Sequence, residues 1–157
     1  MKTTYLIQTI ETTRSILKSN IEGLRDESES LINAYWDEWK ERNRIEIKAP
    51  HHSSELKHSY LGSYAPKIAT IGNGKKITIH WHQFKPFKKN PPNHMSKRVM
   101  PLKSGNYAKS CFINHATWEW EMIEKTEIEL KPYRDLLEHY HSQYIELGRK
   151  LRQLTSK

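Results

Sequence analysis

An α+β fold is predicted: a small antiparallel sheet carried between a long N-terminal helix and a long C-terminal helix. Three observations point there. Apolar residues recur at three- and four-residue steps towards both ends of the chain, they alternate with polar residues in the middle, and the middle contains no acid at all. The 157 residues suit one domain, and aromatic residues at 10% argue against disorder. A mean hydropathy of -0.86 leaves little apolar surface for a large core, so a single elongated or self-associating domain is expected.

The N-terminal helix is expected over about 4–47. Ile7, Ile10, Leu17, Ile21, Leu24, Leu31 and Tyr35 form its seam, with Arg14 and Ser28 as polar lapses. Ile32, Trp36 and Trp39 widen the stripe near the end, which calls for additional packing there. Ala49-Pro50 and the polar "HHSSE" mark the stop.

The middle, 56–115, reads as a basic antiparallel sheet. "APKIATIGNGKKITIHWHQF" is two β-rich runs joined by "GNG", and Asn-Gly accepts the positive φ values of a tight hairpin turn. In the second run Ile77, Ile79 and Trp81 should share a buried face, leaving Lys76, Thr78, His80 and His82 on a wetted one. "KPFKKNPPNHMSK" reads as a loop and "KRVMPL" as a short edge strand, since Pro101 cannot donate to a ladder. Tyr107–Ile113 is expected to be the last strand.

The C-terminal helix is expected over 117–155, capped by Asn114 or Thr117 and carrying Glu119, Glu121 and Glu124 in its first turns. Its seam is Ile123, Thr126, Leu130, Tyr133, Leu137, Tyr140, Tyr144, Leu147, Leu151 and Leu154. Pro132 either kinks this helix or breaks it in two. Two striped helices call for coiled-coil-like packing, with each other in an antiparallel pair, with a second copy in a homodimer, or both.

Charge is sorted along the chain. Leu56–Trp118 holds eleven cations and no carboxylate, so against a whole-chain charge of +8 the remainder is -3. Solubility alone does not require such sign separation, and eleven cations undiluted by acids can form the footprint that tracks a phosphate backbone. The candidate DNA-binding residues are Lys75, Lys76, His80, His82, Lys85, Lys88, Lys89, Lys97, Arg98, Lys103 and Lys109. Ten of the segment's eleven cations are lysine, a point charge for phosphate, so backbone contacts should dominate over base reading. Phe84, Phe87 and Tyr107 could stack bases, which keeps RNA or single-stranded nucleic acid as an alternative.

Catalytic chemistry finds little support. The acid-free middle offers no paired carboxylates, and the helical acids mostly read as solvated faces. The histidines match no compact zinc spacing and Cys111 is the single cysteine, so neither metal nor cofactor is expected. Cys111 reads as a buried small hydrophobe. No run approaches the roughly 18 apolar residues of a membrane helix, and the start lacks a signal-peptide pattern. A cytoplasmic protein without disulfides is expected.

The order of four segments carries a resemblance. "YWDEW" (Tyr35–Trp39), "ITIHW" (Ile77–Trp81), "VMPLKSGNYAKSCF" (Val99–Phe112) and "WEWEMIEKTE" (Trp118–Glu127) are similar to the MobI family of conjugative-transfer proteins, over most of residues 30–135. The resemblance implies an auxiliary mobilisation factor that acts with a relaxase at the origin of transfer without itself cutting DNA. The rival is a non-catalytic adaptor of a plasmid or phage whose helices do the work.

Overall fold

In a computed structural model, described here for residues 2–49, 60–84 and 96–156, the chain forms helix α1 (Lys2–Lys48), strands β1 (Tyr64–Ile71), β2 (Lys76–Phe84) and β3 (Ser96–Arg98), and helix α2 (Thr117–Thr155). The strands make one antiparallel sheet in the order β1-β2-β3. β3 pairs with β2 so that His82 faces Arg98 and Gln83 faces Lys97. The expected α+β architecture is therefore the observed one, with the sheet between two long helices in chain order.

The chain divides into two compact units. The first takes α1 up to Glu29, the hairpin tip Ile68–Thr78 and α2 from Lys131. Its helical segments run antiparallel: Arg14 meets Tyr144, and the Tyr133 hydroxyl donates to Glu27. Leu17 and Leu137 are buried between them. Both polar lapses of the α1 seam have partners. The Arg14 guanidinium lies 4.0 Å from the Tyr144 ring centroid and donates to the Tyr144 carbonyl, while the buried Ser28 hydroxyl donates back to the Arg25 carbonyl at 2.9 Å.

The hairpin turn differs from the one expected. Positive φ falls at Gly72 (70°) and Lys75 (52°), not at Asn73-Gly74. Residues 72–75 form a four-residue turn closed by the Lys75 N–H donating to the Gly72 carbonyl at 3.2 Å. A longer turn ending in a left-handed residue also matches strand twist, so the Asn-Gly pair need not supply it.

The second unit takes Ser30–Lys67 and Ile79–Leu130. Trp81 is fully buried at its centre, with Tyr35 and Phe112 edge-on to it at 5.3 and 5.4 Å. Tyr35 donates to the Tyr64 carbonyl at 2.8 Å, and burial followed by the charges of Glu119 and Glu38 raises its phenol well above the ordinary value. The extra stripe of α1 is used here. Trp36 donates to the Pro66 carbonyl, Trp39 to Glu119, and both rings meet Phe84.

The last expected strand is absent. Residues 109–111 make a 3-10 turn, closed by Cys111 N–H to the Ala108 carbonyl and Phe112 N–H to the Lys109 carbonyl. In this turn Phe112 enters the core and Ile113 is 69% exposed, while Cys111, expected to be buried, is half-buried. The sheet has no room for another partner at β2, whose two edges are already taken by β1 and β3. α2 is one helix with Pro132 inside it, so the chain is not broken there. Its N-cap is neither Asn114 nor Thr117. Glu119 reaches back to the Ala116 N–H, half of a capping box, while the Glu119 N–H donates to the Ala116 carbonyl.

Candidate nucleic-acid interface

The sheet brings part of the predicted basic set together. Strand alternation and the β2/β3 register put His82 opposite Arg98, with Lys97 beside Gln83. Lys67, exposed near the middle of β1, also acts on His82. Burial first, then the positive charges of Lys67 and Arg98, holds the His82 imidazole below the usual histidine range. Cations from both edge strands thus reach the central strand, and a hydrogen bond between His82 Nδ1 and Ser96 Oγ at 3.0 Å fixes the ring. Among the described residues, no carboxylate pairs with Lys67, Lys97 or Arg98. The neutral form of the imidazole is favoured between these cations, which leaves the Lys67 and Arg98 side chains as the charges an anion would meet.

The remaining predicted residues have different fates. Lys103 and Lys109 are exposed in the same unit as Lys67, His82 and Arg98, Lys109 with its Nζ 5.9 Å from the Trp120 ring centroid. Lys75 and Lys76 belong to the other unit, and Lys76 is ion-paired with Glu138. One glutamate of the C-terminal helix therefore does fold back onto the basic segment. His80 is a correction. It is only 7% exposed, as is Thr78, because the centre of β2 is covered on both faces. The expected wetted face is closed at Thr78 and His80 and half-open at its two ends, Lys76 and His82. Lys85, Lys88 and Lys89 lie outside the described residues, as does Phe87.

Neither described aromatic proposed for base stacking stands free. Phe84 packs on Trp36 and Trp39 at 5.1 and 6.0 Å, and the Tyr107 hydroxyl donates to the Val99 carbonyl. Lys67 was missing from the candidate list, although alternation on the first strand of the hairpin was a signal for it.

Two carboxylates expected to be solvated are buried. Glu119 accepts from the Tyr64 N–H at 2.8 Å, the Trp39 indole at 3.2 Å and the Ala116 N–H at 3.2 Å. Burial nevertheless raises its carboxyl above the usual value, outweighing those donors. Glu127 accepts from the fully buried Trp81 indole at 2.9 Å. Spacing was the missed signal, since 119, 123, 127 and 130 fall on one helix face. Gly62 belongs to this cluster: a Cβ there would lie 2.6 Å from Trp39 Nε1 and 2.8 Å from Glu119 Oε2. These carboxylates tie indoles and backbone into the support beneath the sheet; neither has a role in holding an anion.

Among the described residues, no three His, Cys, Asp or Glu side chains converge as metal ligands, and no helix is long and apolar enough to cross a membrane. No curated protein and no solved structure matches the chain. A family model described as MobI protein matches residues 24–148, which span all three strands, both helix–strand junctions and the Glu119 cluster. With most of its length matched, the chain belongs to the MobI family, a family of mobilisation-related auxiliary proteins.

Proposed function

We propose that this protein is a non-enzymatic, DNA-binding auxiliary of conjugative transfer, which grips duplex DNA at the origin of transfer and assists a relaxase there. The observation that carries the binding half is the row Lys67–His82–Arg98, where uncompensated cations from the two edge strands act on the central one. Lys103 and Lys109 extend the footprint within the same unit, and Lys85, Lys88 and Lys89 add three cations on the β2–β3 connection. Family membership supports the mobilisation half. The protein acts in the cytoplasm as a homodimer, for which α2 leaves Ile128 and Leu136 exposed at 69% and 41%.

A salt titration tests the binding half. Affinity for a duplex should fall steeply with ionic strength, and replacing Lys67 and Arg98 together by glutamine should reduce the log–log slope by about two. No binding at low salt, or an unchanged slope, would favour the adaptor. Single-stranded DNA run alongside separates the duplex from the single-strand alternative.

A further inference from the structure

Directly after the basic row the chain presents two aliphatic side chains to solvent. Burial alternates from Arg98 onwards: Arg98 is exposed, Val99 is 7% exposed, Met100 is 66% exposed, and Leu102 is 45% exposed beyond the half-buried Pro101. The segment is held firmly. The Val99 N–H donates to the Trp81 carbonyl at 2.8 Å, so the ladder continues one residue past β3. The turn that follows is closed twice, by Leu102 N–H to the Asn106 carbonyl at 2.9 Å and by Gly105 N–H to the Leu102 carbonyl at 2.8 Å, with Gly105 at φ 86°. Pro101 fixes one more backbone angle.

An anchored, ordered turn that exposes Met and Leu calls for an occupant. Its charge setting selects one. Arg98 and Lys103 bracket the pair, Lys67 and His82 lie across the sheet from Arg98's strand, and Leu56–Trp118 contains no carboxylate. A protein partner for such a surface would have to be strongly acidic. On nucleic acid, cations meet phosphates while an aliphatic side chain gains only by reaching the base stack, and Met and Leu are among the residues that wedge between base pairs from the minor groove.

We infer that Met100 and Leu102 form a wedge that unstacks a base step and kinks the DNA held by the basic row. This makes the protein a DNA-bending factor, and it rests on the binding reading above. A bent duplex presents the flexible, underwound step that a strand-processing enzyme needs to open. Pyrimidine–purine steps, the cheapest to unstack, should be preferred.

The experiment uses the full chain and a short duplex with one central TA step, dye-labelled at both ends and carrying 2-aminopurine at that step. Wild type should bring the ends together, by a bend of roughly 20–90°, and raise 2-aminopurine emission. The Met100→Ala/Leu102→Ala variant should still bind with an unchanged salt slope and lose both signals. Both side chains are exposed, so far-UV dichroism and tryptophan emission should match wild type. Wild type that binds and leaves the duplex straight overturns the wedge while leaving the binding reading intact. Absence of wild-type binding overturns both. A variant that bends DNA like wild type overturns the wedge, and if that variant also loses self-association, the pair serves a protein contact instead.

Discussion

Glu119 keeps three donors on a carboxyl that is fully buried, and the cost of burying its charge shows in its raised pKa. The sign of the resulting pH dependence follows. A carboxyl whose folded pKa lies above its unfolded one binds more protons when folded, so its contribution to stability falls as pH rises from the ordinary value near 4.5 through the raised one. Replacing it by glutamine (Glu119→Gln) removes that term. The stability difference, wild type minus variant, should therefore shrink as pH rises across that window, read by urea unfolding at several pH values. At every pH the glutamine amide faces the Ala116 N–H, donor against donor, which should cost about 1–3 kcal/mol.

Among the elements, α2 carries the most visible contradiction, a proline within a helix that continues through it. Pro132 is exposed, lacks the N–H that would bond the Ile128 carbonyl, and stands where its ring crowds that carbonyl. Pro132→Ala should stabilise the protein by about 1–3 kcal/mol, seen as a higher urea midpoint. The helices were legible almost residue by residue. Every seam position from Ile7 to Tyr35 and from Ile123 to Leu154 is buried or half-buried, because one residue in three or four facing a partner leaves a periodic trace. Single-element periodicity could not report what depends on a neighbour. His80 alternates like a surface residue but occupies a central strand, and Phe112 is taken out of strand geometry by the core site beneath Trp81. Of the site, the sequence showed which cations were available; which of them the register would gather around His82 depended on pairing three strands.

For the whole molecule, net charge overstates what is available to a polyanion. Lys76 is paired with Glu138 on α2, and the side chains are 30% and 56% exposed. A pair that open to water contributes little to stability, under about 1 kcal/mol. Glu138→Gln should thus leave the unfolding midpoint nearly unchanged while tightening duplex binding at low ionic strength, the gain fading as salt is added. Fluorescence anisotropy at two salt concentrations measures it.

The five tryptophans, at 36, 39, 81, 118 and 120, all fall in the second unit, and none in the first. Indole emission is consequently a reporter for one half of the molecule, whereas far-UV ellipticity integrates the helices of both. Followed together on heating, the two signals separate wherever one half loosens before the other, so the protein carries its own internal gauge of cooperativity without any added label.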